Sequence, residues 1–267
     1  MSRQRTLLIT GCSSGIGRRA AEIMHARGWR VFATARRPES VAELKAAGFE
    51  DALPLDLDDS TSINAAVDEV LARTDGQLDA LFNNGAYGQP GAVEDLRRDV
   101  LRAQFETNLF GWLELTNRVI PVMRAQGYGR IVMNSSVLGL VALPFRGAYN
   151  ASKFALEGLT DTLRLELAGS GIEVSLIEPG PIESRFRANA YRKFLENIDI
   201  GPSAFRSQYE GARRRLEKEG PAAPFTLPPD AVVDALIHAL ESSRPKARYR
   251  VTFPTHLFAS LRRILPT

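Results

Sequence analysis

Tyr149 and Lys153 stand four residues apart, and Ser136 stands thirteen residues before the tyrosine. On a helix, side chains at this spacing share a face one turn apart. An ammonium beside a phenol favours the phenolate, so Lys153 would make Tyr149 a better acid and base near neutral pH. Ser136 closes the run IVMNSS, which is typical of a buried strand that ends in two hydroxyls. Together the three side chains could hold a carbonyl oxygen and move a proton, whereas the alternative is a helix with a surface Tyr–Lys pair.

The composition is that of an ordinary globular chain of 267 residues, 44% hydrophobic and 24% charged. The net charge is +3 and the basic residues are scattered, which does not favour a nucleic-acid partner. The single cysteine, Cys12, and three widely separated histidines predict neither a disulfide nor a metal site. No stretch approaches the roughly 18 apolar residues of a membrane span, so we expect a cytoplasmic protein without a transmembrane segment.

A phosphate cradle is predicted near the start of the chain. The apolar run Thr6–Thr10 is typical of a strand, a glycine-rich turn follows at once, and Arg18–Arg27 has a helical pattern. Glycines let the backbone approach a pyrophosphate, and a helix amino terminus offers free N–H groups to it. The spacing is G-x-x-x-G-x-G, and the residues expected to contact a dinucleotide are Gly11, Ser13, Ser14, Gly15, Ile16 and Gly17.

The second predicted strand, Arg30–Ala35, suggests which dinucleotide is bound. An acidic residue commonly ends this strand where the ribose of NAD is held, but this strand is followed by Arg36 and Arg37. Guanidinium groups bind phosphate oxygens in a fork, so the pair favours NADP, with its 2′-phosphate, over NAD. A solvated basic turn is the alternative interpretation.

Two further strands are expected to end at the cofactor. Asp51–Leu55 leads to Asp56, which could accept a hydrogen bond from the adenine amino group. Leu78–Phe82 leads into Asn83–Ala86, whose small residues would let the chain pass close to the cofactor. The cofactor contacts predicted in these two stretches are Asp56, Leu57, Asn83 and Gly85.

With these motifs the chain resembles the short-chain dehydrogenase/reductase family, in the subgroup of about this length with a T-G-x-x-x-G-I-G turn. Asn83 and Asn84 match the first half of the family's N-N-A-G motif, whereas Gly85 and Ala86 exchange its two small residues. Six predicted strands alternate with helices before Gly180 and a seventh follows, and no repeat or linker interrupts them. We therefore predict one domain over residues 1–267, an α/β Rossmann-type doubly wound parallel sheet of about seven strands with helices on both faces.

The resemblance implies roles for four residues. Asn108 matches the asparagine of the N-x-x-G motif, which holds a water linking the catalytic lysine to solvent. Ser136 matches the serine that polarises the substrate carbonyl, and Tyr149 matches the proton donor. Lys153 matches the lysine that lowers the tyrosine pKa and binds the nicotinamide ribose. Tyr149 and Lys153 are therefore predicted to contact the cofactor as well.

The family's P-G-x-x-x-T motif, which folds over the nicotinamide, is also present in altered form. Pro179 and Gly180 match it, and Ser184 replaces the threonine while keeping a hydroxyl. Ile182 stands where a backbone amide usually meets the carboxamide. These four residues complete the predicted cofactor site.

The substrate region is predicted from two stretches. Residues 185–227 are basic and aromatic with helical pieces but no strand pattern, as expected of the family's substrate-covering lid, although a helical pair packed on the domain is the alternative. The loop Val137–Phe145 is apolar, which favours an apolar ligand. The R-P-x-x-R-Y run that begins at Arg244 resembles the steroid and retinol dehydrogenase branch. We therefore expect a small hydrophobic carbonyl or alcohol: a steroid, a retinoid or a long-chain aldehyde.

The sequence thus predicts an NADP(H)-dependent oxidoreductase. A non-catalytic NADP(H)-binding regulator or scaffold of the same fold is the alternative, and the complete Asn–Ser–Tyr–Lys set argues against it. The resemblance implies a homodimer or homotetramer paired through the helices that carry Asn108 and Tyr149. The apolar and basic tail His256–Leu265 could touch a partner chain or a membrane surface, but we expect it to cover the core.

Overall fold

A parallel sheet of seven strands forms the centre of the molecule. The computed structural model describes residues 3–217, 220 and 223–264. Within these residues the strand order is the third, second, first, fourth, fifth, sixth and seventh, with every pairing parallel. The predicted doubly wound sheet is therefore confirmed. The strands are β1 (Thr6–Ile9), β2 (Arg30–Ala35), β3 (Leu53–Pro54), β4 (Ala80–Asn83), β5 (Gly129–Asn134), β6 (Ile172–Pro179) and β7 (Arg248–Val251).

Helices cover both faces of this sheet. Because successive strand residues point to opposite faces, Leu7 and Ile9 of β1 enter one apolar core and Leu8 enters the other. The first core lies under the helices at residues 15–26, 38–46 and 230–241, and the second lies under those at residues 60–73, 111–126 and 147–166. The helices are α1 (Gly15–Ala26), α2 (Pro38–Ala46), α3 (Ser60–Arg73), α4 (Arg98–Phe105), α5 (Gly111–Gln126), α6 (Gly147–Glu166), α7 (Phe186–Asn197), α8 (Arg206–Glu217), α9 (Asp230–Glu241) and α10 (Phe253–Ile264).

The helical stretch from Arg98 to Gln126 is not one regular helix. A π-helical turn, Glu106–Phe110, separates α4 from α5 and contains Asn108. Pro121 does not break α5. A π turn widens the helix by one residue and is frequent at functional sites.

The segment after Ser184 packs as a separate layer. A third apolar cluster joins Phe194 of α7 and Tyr209 of α8 to Ala92 and to Phe145. This segment has the helical pieces that its sequence predicts. Its two ends are joined, because a bridge pairs Ile182 with Leu227.

The tail helix α10 covers the core, as expected, but along one side only. Thr255 and Ala259 of α10 are buried, but Phe253 is 59% exposed and Ile264 is 76% exposed. One side of α10 therefore covers the domain while apolar side chains lie on the other. Leu265 lies outside the described residues. None of the helices in the described part of the chain combines the length and hydrophobicity that crossing a membrane requires.

Candidate active site

The glycine-rich turn lies between β1 and α1 and is closely packed. Gly11 and Gly15 have φ of +73° and +56°, a region in which a side chain is strained. A Cβ on Gly11 would lie 2.6 Å from the Cα of Gly85, and one on Gly17 would collide with the Gly11 carbonyl. The helix begins at Gly15, three residues earlier than its sequence pattern predicts. The N–H groups that have no acceptor within the helix are therefore carried by residues of the glycine-rich turn.

Asn84 holds the ends of three strands together at this turn. Its side-chain Nδ2 donates to the Thr10 carbonyl at 3.0 Å, and its Oδ1 accepts from Asn134 Nδ2 at 2.9 Å. The Thr10 hydroxyl accepts from the backbone N–H groups of Asn84 and Gly85, both at 2.8 Å. The carboxyl ends of β1, β4 and β5 thus lie side by side, where one ligand can contact all three.

The side chain of Asn83 lies away from the glycine turn, so the cofactor contact predicted for this residue could come only from its backbone. Its side chain is fully buried and donates to the Thr116 hydroxyl at 2.9 Å, on the side of α5. The reason is the alternation of a strand, which sends adjacent side chains to opposite faces. The neighbouring Asn84 therefore takes the position at the ligand edge, and sequence reasoning identified its motif but not its role.

Leu57 is 8% exposed, and its side chain lies against Gly85. A Cβ on Gly111 would collide with the Leu57 carbonyl. The third position after Asn108 therefore requires glycine. Asp56 is half-buried, and its Oδ1 accepts from the Asp58 N–H at 3.2 Å. Asp56 and Leu57 therefore lie beside the turn that the sequence assigned to the cofactor.

Arg36 and Arg37 follow β2 and are both exposed. Neither forms an ion pair within the described residues. Arg37 precedes α2, whose first residue is Pro38. The two arginines therefore lie in solvent where the glycine turn and β2 meet. We call this the ribose end of the cleft, because the sequence predicts that it faces the adenosine ribose.

The Asn108 side chain is fully buried at the π turn. Its Nδ2 donates to the Tyr87 carbonyl at 2.9 Å and its Oδ1 accepts from the Tyr87 N–H at 3.2 Å. A second contact joins Nδ2 to the Ser152 hydroxyl at 3.4 Å. Asn108 thus ties the loop after β4 to the helix that carries Tyr149.

Ser136 follows β5 at the start of a short turn, Val137–Gly139, and is 9% exposed. Its Oγ accepts from the Leu138 N–H at 3.1 Å, which leaves the hydroxyl proton free to donate. Lys153 is 1% exposed, and its Nζ donates to the Asn134 carbonyl at 2.8 Å. The same Nζ lies 4.4 Å from the centre of the Trp112 ring, a cation–π distance.

Tyr149 lies on α6 one turn before Lys153 and is 9% exposed. The ring of Phe186 packs edge-on against it, with 5.3 Å between the ring centres. Burial raises the pKa of Tyr149 to about 12, although the Ser136 hydroxyl and the charge of Arg146 act in the opposite direction. Burial lowers the pKa of Lys153 to about 7, partly offset by the charge of Glu157.

These pKa shifts differ from the sequence expectation that Lys153 lowers the pKa of Tyr149. Both groups are almost completely buried, and burial disfavours the charged form of each. Near neutral pH Tyr149 is therefore protonated, as a proton donor must be, while Lys153 is close to its midpoint. Ser136 is the partner that favours the phenolate.

The segment after β6 lies over the glycine turn. The Gly180 N–H donates to the Val251 carbonyl at 3.0 Å, and a Cβ on Gly15 would lie 3.1 Å from that of Ser184. Ile182 packs partly against the first core. Pro179, Gly180, Ile182 and Ser184 are thus brought to the same edge as the predicted catalytic residues.

The family model described as short chain dehydrogenase matches residues 5–194, which include the glycine turn, Ser136, Tyr149 and Lys153. The chain belongs to the short-chain dehydrogenase family. As a member of this family it is an oxidoreductase that acts on CH–OH or C=O groups.

Relatives of this short-chain dehydrogenase match nearly its whole length. The uncharacterized oxidoreductase YbbO of Escherichia coli K12 is 45% identical and covers 98% of this chain and 91% of its own. Human 17-beta-hydroxysteroid dehydrogenase type 1 is 33% identical over 97% of this chain and 80% of its own. Human retinol dehydrogenase 8 is 35% identical over 91% of this chain and 80% of its own. The resemblance to the steroid and retinol dehydrogenase branch is therefore confirmed.

Solved structures share the fold. A short-chain dehydrogenase from Streptomyces avermitilis has a TM-score of 0.82 and 31% identity, covering 97% of this chain and 92% of its own. Actinorhodin polyketide ketoreductase, solved with NADPH, has a TM-score of 0.76 and 29% identity over 94% and 97% of the two chains. A short-chain dehydrogenase from Burkholderia phymatum, solved with NAD, has a TM-score of 0.81 at 24% identity, over 98% and 92%, and so shows the fold alone. Two of these three solved structures thus contain a nicotinamide nucleotide.

The residues of the cleft fit such a nucleotide. Glycines 11, 17 and 85 stand where any side chain would fill the cradle or push its walls apart. The amino terminus of α1 presents N–H groups to an anion at the same place. Ser136 follows the carboxyl end of β5, and Lys153 of α6 reaches the last residue of that strand through its Nζ. Ligands bind at the carboxyl ends of the strands in a doubly wound sheet.

Proposed function

We propose that this short-chain dehydrogenase is an NADP(H)-dependent oxidoreductase that acts on the carbonyl or alcohol of a hydrophobic substrate. A steroid, a retinoid and a long-chain aldehyde are the substrate types we consider. The observation that carries the proposal is the placement of buried Ser136, Tyr149 and Lys153 at one strand edge, beside a glycine turn that fits a dinucleotide.

Each of these side chains has a step to perform. Tyr149, protonated at neutral pH, donates its proton to the carbonyl oxygen during reduction. The Ser136 hydroxyl donates a hydrogen bond to the same oxygen and stabilises the negative charge that develops there. Lys153 would hold the ribose hydroxyls of a bound nucleotide and would stabilise the phenolate left on Tyr149. A bound nicotinamide nucleotide would supply or accept the hydride.

Asn108 is proposed to support the proton path. Its amide is anchored to both backbone groups of Tyr87 and reaches the Ser152 hydroxyl on α6. A buried amide in this position keeps the loop after β4 and the catalytic helix in register. A water held beside it would return protons to Lys153 and then to Tyr149.

The preference for NADP rests on Arg36 and Arg37. Both guanidinium groups are exposed, and both follow the strand whose end approaches the adenosine ribose. A 2′-phosphate would accept two or more charge-assisted hydrogen bonds there. NAD carries only a hydroxyl at that position and would leave the arginines in solvent.

The substrate class rests on apolar side chains around Tyr149. Phe186 covers one side of the catalytic ring, and a Cβ on Gly88 would lie 2.8 Å from it. Phe145, four residues before Tyr149, packs against Phe205 and Tyr209 at ring-centre distances of 5.7 and 5.3 Å. The names of two relatives, a hydroxysteroid dehydrogenase and a retinol dehydrogenase, agree with a hydrophobic ligand.

Residues 185–227 are proposed as the lid over this substrate. The bridge between Ile182 and Leu227 closes the base of the segment, and Phe186 brings it into contact with Tyr149. Replacing Phe186 by alanine should raise KM for a bulky carbonyl several-fold with a smaller change for a short aldehyde. An equal change for both substrates would contradict a lid that contacts the ligand.

We further propose a homodimer or homotetramer that works in the cytoplasm. The exposed side of α6 includes Phe154, Leu159 and Leu165, at 37%, 41% and 69% exposure. Apolar side chains spaced along one helix favour pairing with a second copy. Light scattering would measure the mass, and Leu165→Glu should lower it if α6 is the interface.

NADPH oxidation, followed by its absorbance, tests the central proposal. The purified protein would be mixed with keto-steroids, retinal and aliphatic aldehydes, with NADH in parallel. We expect turnover with NADPH and at least one hydrophobic carbonyl. Tight NADPH binding without turnover on any of them would favour the non-catalytic regulator, and binding of neither nucleotide would refute the cofactor site.

A further inference from the structure

A charged cluster lies behind the catalytic helix. Arg248 of β7 donates from Nη1 to Glu178 of β6 at 2.6 Å, and also to Glu157 of α6. Its Nη2 donates to Asp161, one turn further along α6. Glu178 is fully buried and Glu157 is 7% exposed. The proposed reaction gives none of these groups a direct step.

The last strand holds Arg248 in place through the R-P-x-x-R-Y run. The Tyr249 hydroxyl accepts from the Lys246 N–H at 2.8 Å and lies 2.7 Å from His238 Nδ1 of α9. Because neighbouring strand residues point to opposite faces, Tyr249 anchors β7 to α9 while Arg248 faces α6. The R-P-x-x-R-Y run therefore holds the Arg248 guanidinium beside the carboxylates of α6.

Glu157 touches the turn that carries the catalytic serine. A Cβ on Gly139 would lie 2.9 Å from both Glu157 Cγ and the Ser135 hydroxyl. Glu157 Oε1 and Ser135 Oγ are buried, and neither has a hydrogen-bond partner within the described part of the chain. Glu157 thus packs directly against the residues that flank Ser136.

Glu157 also lies one helical turn after Lys153, on the same face. The other groups around the ammonium are the Asn134 carbonyl of β5, the Trp112 ring of α5 and the Tyr149 phenol of α6. None of those three carries a negative charge while Tyr149 is protonated. The charge of Glu157 is the influence that raises the pKa of Lys153 against burial.

The groups around Glu157 come from three elements. Burial, with a smaller contribution from the charge of Glu178 of β6, raises the pKa of Glu157, and the guanidinium of Arg248 of β7 opposes that rise. Arg250 of β7 lies 3.6 Å from Glu178 Oε2 and helps to neutralise that carboxylate. Asp161, which is more exposed than Glu157, forms an ion pair with the same Arg248 guanidinium.

We propose that Glu157, held by Arg248, is a positioning residue that gives Lys153 a negative counter-charge and supports the turn that places Ser136. The role of this counter-charge in catalysis rests on the proposed function. The counter-charge itself can be measured without any substrate.

The test is the titration of Lys153 in the full chain. The chain has five lysines, so selective ¹³C-lysine labelling gives a simple spectrum, and Lys153→Met assigns the Lys153 signal. Glu157→Gln keeps the shape of the side chain and removes its charge. We expect it to lower the pKa of Lys153 by roughly half a unit or more, as loss of a nearby opposite charge does. An unchanged Lys153 pKa would overturn the proposal.

Glu166→Gln is the matched control, because Glu166 lies exposed at the end of the same helix. It should leave the Lys153 signal unmoved. A shift of the same size in both variants would mean that any charge on α6 acts in this way, and would also overturn the role of Glu157.

Turnover supplies a second readout once a substrate is known. Glu157→Gln should lose about threefold to tenfold in kcat/KM at neutral pH, and the deficit should shrink as the pH is lowered and Lys153 regains its proton. A deficit that is equal at every pH would indicate a structural role only and would overturn the proposal. Failure of the parent enzyme to turn over any carbonyl would refute the proposed function, while the titration would still decide the counter-charge.

Discussion

The two ends of the cleft are built in opposite ways. At the catalytic end, Ser136 is 9% exposed and Lys153 1%, and hydrogen bonds from β5 and its turn fix both before any ligand arrives. At the ribose end, Arg36 and Arg37 are exposed and unpaired among the described residues. The fold therefore determines the position of the groups proposed for chemistry, whereas a bound phosphate would determine the position of the groups proposed for recognition.

The largest effect is expected at the catalytic end, from Tyr149→Phe. Phenylalanine fills the same buried space but has no proton to donate, so we expect kcat to fall about 10³-fold or more. NADPH affinity, measured by fluorescence titration, should change by less than about threefold, because the ring and its packing against Phe186 remain.

Two results would contradict this assignment. Retained turnover would show that another group protonates the carbonyl. A loss of nucleotide affinity as large as the loss of kcat would show that Tyr149 shapes the cleft and does not serve as its acid.

The turn shared by both ends should give the next largest effect. In Gly17→Ala the new Cβ would collide with the Gly11 carbonyl and lie 2.6 Å from Asn84 Nδ2. The turn and the β4 loop must separate, so we expect nucleotide affinity to fall roughly 100-fold and the unfolding free energy to fall by about 1–3 kcal/mol. Calorimetric titration and chemical denaturation measure the two quantities.

Gly158→Ala is the matched control for the glycine turn. Gly158 lies within α6, and a Cβ there meets nothing within 4 Å among the described residues. Alanine should therefore leave nucleotide binding unchanged and increase helix stability by roughly 0.5–1 kcal/mol. Equal losses in both variants would show that the glycine turn has no special packing.

At the ribose end the effect should be smaller and selective. Replacing Arg36 and Arg37 together by serine removes the donors proposed for the 2′-phosphate, so the preference for NADPH over NADH should fall about 10–100-fold. NADH kinetics should barely change. Arg124→Ser, at an exposed residue of α5, is the control, and an unchanged preference in the double variant would favour the solvated basic turn.

Features that depend on local burial could be predicted from the sequence, whereas features that depend on tertiary contacts could not. Strand and helix periods depend on local burial, so β1 to β7 and the edge carrying Ser136 and Lys153 follow from the pattern. The choice between Asn83 and Asn84 depends on the pleat at the last residue of β4, which the motif alone does not reveal. The cluster around Arg248 joins residues that lie far apart in the chain, so neither spacing nor composition indicates it.

The upward shift of the Tyr149 pKa has the same origin. Adjacency on a helix predicts a favourable lysine, but desolvation of both groups outweighs it, and the depth of burial is a property of the tertiary structure. The sequence therefore identifies the pair, whereas the effect of burial on its pKa values follows only from the tertiary structure.

A further expected effect, spread over several pH units, is a pH dependence of stability that arises at the catalytic end and not at the ribose end. The pKa of Lys153 is lowered to about 7 in the folded chain, so between pH 7 and 10 the unfolded chain binds a proton that the folded chain does not. The unfolding free energy should therefore rise with pH in that window, by up to about 1.4 kcal/mol per pH unit, and the gain should be lost as the pH falls through 7.

Urea unfolding of the parent chain and of Lys153→Met between pH 7 and 9.5 isolates this contribution, because every other titrating group is present in both. The parent should gain stability relative to the variant as the pH rises. The Arg36 and Arg37 double variant should run parallel to the parent, since it removes two solvated charges from the other end of the cleft. If the stability of Lys153→Met changed with pH in parallel with that of the parent, burial would not destabilise the Lys153 ammonium. The buried catalytic end and the exposed ribose end would then not differ in their electrostatics.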